Sequence, residues 1–400
     1  MKILHVSPYF MPARAYGGPV ESLYRLCLNL SRLGCDVRAL ATNGNGLGKV
    51  LEVEVGTQVA VAAGFEVTYV GRIARHSISP GLVLRLPFEV RRADVVHLTG
   101  VYWFTTIPTL LTCKLMGKPL VWSPRGELQR WRGSRGRMRK RIWEIACRLS
   151  APRSTMLHLG SQAERIASAA RLPGFSSTVV PNAVRTPTTI KRAPSSGKLR
   201  LGYIGRLHPR KGLDNLLEAC RILKDQGATF SLVIAGSGRR RYTRELSRKI
   251  AALELGETVQ MAGEVHGNAK REFFESLDVL MVPSFGESFA SAVAEALAYA
   301  VPVIASRDTP WSRLVEKGCG LWVDNAPESL AAAIAEIDAM PLEEMGLRGR
   351  EWMSAEFSWD AVAREVCNTY SLMLRGRPAV GVTAAASTSI APAGETSPHN

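Results

Sequence analysis

Short β-branched runs alternate with amphipathic stretches along most of the chain. Lys2–Ser7, Val37–Ala41, Val67–Val70, Val95–Leu98, Leu120–Ser123, Met156–Leu159 and Thr178–Val180 predict strands. Pro19–Leu33, Phe104–Met116, Arg137–Leu149 and Gln162–Ala170 predict helices between most of them. Such alternation predicts a parallel sheet wrapped by helices. From 181 to 197 the character changes: Pro181, Pro187 and Pro194 are interspersed with Thr, Ser and Lys, the composition of an interdomain linker. Beyond it the alternation restarts. Arg200–Ile204, Phe230–Ala235, Thr258–Met261, Val279–Val282, Val301–Ala305 and Gly320–Val323 predict strands. Leu213–Gln226, Tyr242–Leu253, Lys270–Leu277, Ala290–Ala300 and Pro327–Ala339 predict helices. The expectation is an α/β chain of two doubly wound domains, 1–180 and 198–357, with a disordered Ala/Thr/Ser/Pro-rich tail at 379–400. Such sheets bind ligands beyond the carboxyl ends of their strands, so two facing sheets create a cleft.

Composition narrows the class. Over 400 residues, 46% hydrophobic and 22% charged content implies a globular protein with a sizeable core, not a disordered or fibrous one. The longest apolar region, Trp103–Trp122, is broken by Lys114, Lys118 and two prolines, so no membrane span is expected. Met1–Phe10 also lacks the pattern of a signal peptide. Seven scattered cysteines without a C-x-x-C predict free thiols in a reducing cytoplasm, with neither a zinc site nor a disulfide framework. The excess of 51 Lys and Arg over 35 Asp and Glu, a net charge of +16, implies an anionic partner. Nucleic acid, anionic lipid and phosphorylated small molecules all fit that charge.

Three segments carry residue types suited to an anion or a sugar. Gly17-Gly18 lies between the first predicted strand and the helix from Pro19. Paired glycines there let backbone N–H groups approach an anion, although a tight turn explains them equally well. No G-x-G-x-x-G follows the strand, so this is no dinucleotide fingerprint. Gly205-Arg206-Leu207-His208-Pro209-Arg210-Lys211-Gly212 follows the first strand of the second domain. Its Lys-Gly order is not that of a P-loop, yet Arg206 offers a fork of donors and Lys211 a mobile point charge for a diphosphate. Solvated loop charges are the plainer alternative. Pro283–Ser291 then leads into a helix bearing Glu295, with Glu287 in the loop before it. A buried Glu295 on an Ala-rich helix needs a hydrogen-bond partner, which a sugar diol supplies. The helix start at Phe289, Ala290 and Ser291 can hold a phosphate, while a capping loop with a surface Glu remains the simpler reading.

Together, Gly17-Gly18, Gly205-Arg206…Lys211-Gly212 and Glu287-x7-Glu295 within P-S-x-x-E-x-F resemble the retaining glycosyltransferase family 4. The resemblance runs from Met1 to about Leu374 and implies the GT-B fold, two Rossmann-like domains facing across a cleft. It implies a nucleotide-sugar donor held mainly by the C-terminal domain and an acceptor held mainly by the N-terminal one. Carried over by position, Arg206 and Lys211 bind the diphosphate, Glu295 the ribose hydroxyls and Glu287 the donor sugar. Phe289, Ala290 and Ser291 line phosphate and sugar, the Val265 backbone meets the base, and Gly17-Gly18 closes from the other domain. The helix at 358–374 crosses back to the N-terminal domain. No metal and no cofactor are implied. The activity implied is metal-independent transfer of a hexose-type sugar from a UDP- or GDP-sugar to a saccharide or lipid-linked saccharide in bacterial cell-surface polysaccharide synthesis.

One position departs from the family. In Asp94-Val95-Val96-His97-Leu98-Thr99-Gly100, Thr99 stands where members often carry a second histidine that helps hold the donor sugar. His97 is expected on the other face of the strand, packed in the core. Separately, Arg125–Arg141 holds eight basic residues against the single acid Glu127. Met138, Ile142, Ile145 and Leu149 form one helical stripe there, with Trp131 and Trp143 nearby. A basic amphipathic helix of this kind suits an anionic bilayer, which predicts a cytoplasmic enzyme peripheral on the inner membrane face through Arg135, Arg137, Arg139, Lys140 and Arg141. A solvated basic face is the alternative. Two other classes stay open: a nucleic-acid binder, which no sequence motif supports, and a sugar-nucleotide epimerase or other GT-B enzyme.

Overall fold

The computed structural model describes residues 1–46, 48–129, 136–192 and 197–376. Trp131, Arg135, part of the linker and the tail from 379 lie outside the described residues. The N-terminal domain comprises β1 (Lys2–Ser7), α1 (Gly18–Arg32), β2 (Asp36–Thr42), β3 (Gln58–Ala62), β4 (Phe65–Val70), α2 (Pro80–Arg92), β5 (Val95–Thr99), α3 (Thr106–Leu115), β6 (Leu120–Ser123), α4 (Arg137–Ser150), β7 (Thr155–Leu159), α5 (Gln162–Ala169) and β8 (Ser176–Val179). The second domain comprises β9 (Leu199–Ile204), α6 (Leu213–Asp225), β10 (Phe230–Ala235), α7 (Arg240–Ala252), β11 (Val259–Gly263), α8 (Gly267–Glu275), β12 (Val279–Val282), α9 (Ser291–Ala298), β13 (Val303–Ser306), α10 (Arg313–Glu316), β14 (Gly320–Val323), α11 (Pro327–Asp338) and α12 (Leu342–Glu356). A last helix, α13 (Trp359–Leu374), follows.

The strands form two sheets, ordered β3-β4-β2-β1-β5-β6-β7-β8 and β11-β10-β9-β12-β13-β14. Every pairing is parallel except β3 with β4. This is the GT-B architecture of two Rossmann-like domains. Central strands such as β1, β5, β6 and β12 are buried along almost their whole length, which is why they read as continuous apolar runs without alternation. In both sheets the strand order reverses direction beside the first strand, at β1/β5 and at β9/β12. Loops at the carboxyl ends there are the ones doubly wound sheets use for ligands.

Helix α13 comes last in the chain but belongs to the first domain. The Ser358 hydroxyl caps it by accepting from the Ala361 N–H at 3.3 Å. Its Val362, Val366 and Tyr370 complete the core that α1 forms over β1 with Leu23, Leu26 and Leu30. On the opposite face of that sheet, α2, α3 and α4 lie side by side over Leu4, Val6, Leu98 and Trp122.

Candidate functional site

Pairing of β9 with β12, at Leu280 against Gly202, makes neighbours of two loops that are some eighty residues apart in the chain. Gly212 ends the first loop with φ +69°, and a Cβ there would lie 1.7 Å from the Pro283 carbonyl oxygen of the second. Only glycine tolerates both the conformation and the backbone approach. The Phe285 N–H donates to the Arg210 carbonyl at 2.8 Å, and the Asn325 side-chain amide donates to the Pro283 carbonyl at 2.5 Å. Held in this way, Lys211 Nζ forms an ion pair with Glu287 Oε1, to which Ser284 Oγ also donates at 2.8 Å.

Two cations that sequence reasoning left unassigned join this group. Arg210 lies beside Gly286, where a Cβ would be 3.1 Å from its Nη2. Burial works to lower its pKa and the Glu287 charge opposes that, while its Nε finds no partner among the described residues. Lys270, on α8, holds Glu295 at 2.6 Å. Glu295 is therefore not the buried acid expected: its side chain is 29% exposed and already paired. Ala290 turns through φ +60° before α9 begins, and the helix it starts carries Glu295 beside Lys270 on α8. Nothing in the local sequence pairs position 270 with 295; adjacency of α8 and α9 does.

Phe289 also departs from expectation. Its ring is buried against Trp311 and Phe357, with centroids 5.3 and 6.0 Å away, and its carbonyl accepts from the Trp311 indole. The side chain thus belongs to the core, leaving only its backbone to line a ligand. Ala290 and Ser291 are half-buried at the start of α9, and Val265 is half-buried just beyond β11. From the first domain, Gly17 caps α1, and a Cβ there would lie 4.0 Å from Arg206 Nη2, so the exposed Arg206 spans the cleft.

The N-terminal side of the cleft holds a carboxylate that the charge count treated as incidental. Glu127 accepts from the Val101 N–H at 2.6 Å, the Tyr102 N–H at 3.1 Å and the Trp103 indole at 2.6 Å. Burial raises its pKa and these three donors pull it back. Tyr9 and Tyr16 stack 4.6 Å apart beside Trp103. Thr99 is buried and its hydroxyl has no partner among the described residues. His97 is wholly buried, but two residues from Thr99 it shares that residue's face of β5, toward Tyr370, rather than the opposite face expected.

Helix α4 is turned the reverse way from an ordinary domain helix. Trp143, Glu144 and Cys147 face the protein, with the Trp143 indole donating to the Val101 carbonyl at 2.6 Å. Met138 (70%), Ile142 (61%), Ile145 (51%) and Leu149 (69%) face outward, flanked by exposed Arg137, Arg139, Arg141 and Arg148. Leu111 and Leu115 on α3, and Leu84 and Phe88 on α2, are exposed on the two neighbouring helices. No helix among the described residues is long and apolar enough to cross a membrane.

Residues 16–187 match the family model described as Glycosyltransferase Family 4, and residues 186–351 match that described as Glycosyl transferases group 1. The chain belongs to glycosyltransferase family 4. Among family relatives, it is 31% identical over 181 residues to WcaL of Salmonella typhimurium, a protein named for colanic acid biosynthesis, covering 42% of this chain and 44% of that one. It is 30% identical over 176 residues to a GDP-mannose-dependent alpha-(1-6)-phosphatidylinositol dimannoside mannosyltransferase of Mycobacterium tuberculosis, covering 44% and 45%. The chain thus spans less than half the length of the curated relatives it first matches. The crystal structure of HepE of Anabaena in complex with UDP superposes with a TM-score of 0.69 at 17% identity, covering 93% of this chain and all of that one, which is a likeness of fold. Neither an epimerase nor a nucleic-acid binder is favoured by these matches.

Proposed function

We propose that this family 4 member transfers a hexose-type sugar, with retention at the anomeric carbon, from a UDP- or GDP-sugar to a saccharide or lipid-linked saccharide in the synthesis of a bacterial cell-surface polysaccharide. The observation that carries this reading is the meeting of Lys211 with Glu287 at the β9/β12 switch point, opposite Gly17 and with Arg206 reaching across. Charge growing on the departing diphosphate is met by Arg206, Lys211 and Arg210 and by the N-terminus of α9, where Ala290 and Ser291 offer backbone N–H groups. Glu287 contacts the donor sugar. Glu295, oriented by Lys270, takes the ribose hydroxyls, and the Val265 backbone meets the base. Gly17-Gly18 closes on the diphosphate from the first domain, excluding water and aligning the acceptor. No metal or cofactor enters the scheme, so turnover is expected to persist in a chelator. WcaL, named for colanic acid biosynthesis, supports the polysaccharide assignment, and the mycobacterial relative, named for phosphatidylinositol dimannoside, supports a lipid-linked acceptor.

The outward apolar stripe of α4 and its arginine flanks support a place of action at an anionic membrane surface, with the enzyme cytoplasmic and peripheral on the inner face. Arg137, Arg139, Lys140 and Arg141 contribute the charge, and Arg135 extends the basic run in sequence. Thermal-shift measurement with UDP, GDP and ADP, followed by their sugar conjugates, tests the donor assignment. A rise in melting temperature with UDP or GDP is expected; no shift with any nucleotide contradicts the reading.

A further inference from the structure

The loop that carries Glu287 is gripped from the opposite domain. Ser288 sits against Gly126, in the turn after β6, where a Cβ would lie 2.8 Å from the Ser288 Cβ and 2.9 Å from its Oγ. Gly126 also holds φ +79°, so space and backbone both demand glycine. Beside it, Gln129 Nε2 donates to the Glu287 carbonyl at 3.3 Å. A second turn of the same domain approaches from the other side: a Cβ at Gly160 would lie 3.7 Å from the Ser288 carbonyl oxygen and 3.9 Å from the Phe289 Cβ. One carboxylate ties these two turns together. Glu164 accepts the Gly160 N–H at 2.7 Å through Oε2 and the Gly126 N–H through Oε1. It is only 1% exposed, and burial raises its pKa against the pull of those two N–H groups and the nearby Arg125 charge.

We propose that Gly126, Gln129 and Glu164 form a clasp that couples closure of the cleft to the placement of Glu287. They are positioning residues, and the proposal rests on the reading that Glu287 contacts the donor sugar. The Glu287 carboxylate is anchored within its own domain by Lys211 and Ser284, whereas Gly126 and Gln129 reach the adjoining backbone from the other domain. Separation of the domains removes these grips but leaves the loop at 205–212 intact. Nucleotide affinity therefore stays mainly with the second domain, while turnover depends on the clasp.

The test uses the full chain, with UDP or GDP, whichever raises the melting temperature more, and its glucose or mannose conjugate as probes. Turnover is read as release of the nucleoside diphosphate, with water taking the sugar as acceptor. Gly126→Ala is expected to lower kcat at least tenfold with nucleotide affinity within about threefold of wild type. Adding Ser288→Gly, which removes the Cβ that the new methyl strikes, is expected to restore at least half of the lost rate. Gln129→Ala, which disturbs no backbone, is expected to lower kcat about threefold at unchanged nucleotide affinity, and it decides the matter should Gly126→Ala fail to fold. Wild-type kcat in Gln129→Ala, or an equal loss in Gly126→Ala with and without Ser288→Gly, overturns the clasp. Glu287→Gln separates this from the parent reading: wild-type turnover in that variant sinks the role of Glu287 itself, whereas a large loss there beside normal clasp variants sinks the clasp alone.

Discussion

The phenol oxygen of Tyr370, on the last helix, lies 2.6 Å from Nδ1 of His97 on β5. On its other side His97 Nε2 is 2.7 Å from the Ser123 hydroxyl, and the rings of His5 and His158 stand 4.4 and 5.4 Å away. A helix contributed from beyond the second domain is thereby fastened into the polar centre of the first.

That cluster predicts sensitivity to acid. Burial, aided by the Arg125 charge, pushes the pKa values of His5 and His158 down to about 3 and that of His97 well below its usual range. In the unfolded chain the same rings protonate near 6.5. The unfolded state binds more protons between those limits, so this stability is full above about pH 6.5 and is lost as pH falls toward 3. The slope is at most about 1.4 kcal/mol per pH unit for each ring. Melting temperature measured from pH 8 to pH 4 should fall below 6.5, and less steeply in His158→Asn. A melting temperature indifferent to acid across that range contradicts the account.

Gly212→Ala should damage the two loops at the β9/β12 switch point and the fold together. A left-handed conformation costs an L residue about 1–2 kcal/mol, and the added methyl meets the Pro283 carbonyl oxygen at 1.7 Å. Destabilisation of more than about 2 kcal/mol in denaturant melts is expected. A neutral variant would show that the two loops are not locked through their backbones.

Lys211→Ala and Glu295→Ala should each lower nucleotide-sugar turnover at least tenfold while staying folded. Loss of one charge-assisted contact is worth about 1.5–3 kcal/mol, roughly 10–150-fold. Lys211→Ala also strips Glu287 of its ion-pair partner, so it should be the more damaging of the two. Near-normal turnover in both removes the basis of the donor assignment.

Ile142→Ser and Leu149→Ser, alone or combined, should leave the melting temperature nearly unchanged. Both side chains face solvent, and surface changes of this kind stay within about 0.5 kcal/mol. The same variants should weaken flotation with anionic liposomes at low salt, as should removal of Arg137, Arg139 and Arg141. Binding unaffected by either set, or absent in the wild type, would argue against the membrane face.

β1, β6 and β12, buried on both faces, were legible because their apolar runs are local, and with the partly exposed β10 and β14 they fall at the predicted residues. Four elements were not, among them α10, whose four residues are too few to show a period. β3 is an edge strand whose first three residues are exposed, so no apolar run marks it. α2 buries Leu82, Leu86 and Val90 at helical spacing, but Pro87 interrupts it and exposed Leu84 and Phe88 blur its polar face. α12 carries two glycines, Gly346 and Gly349, which weaken its helical pattern. The α4 stripe was visible as a stripe, yet periodicity cannot say whether such a face turns inward or outward.

The two-domain α/β plan, the glycine and basic-residue content of the cleft loops and the basic character of the α4 segment are legible in the chain alone. Each depends on residues close together in the chain, where periodicity, turn chemistry and charge act locally. Tertiary structure alone decided that Lys211 meets Glu287, that Lys270 rather than a buried site holds Glu295, that Phe289 turns into the core and that Gly126 receives Ser288. These pairings follow from β9 lying beside β12 and from one domain facing the other. Such adjacencies come from sheet order and packing, which no local pattern encodes.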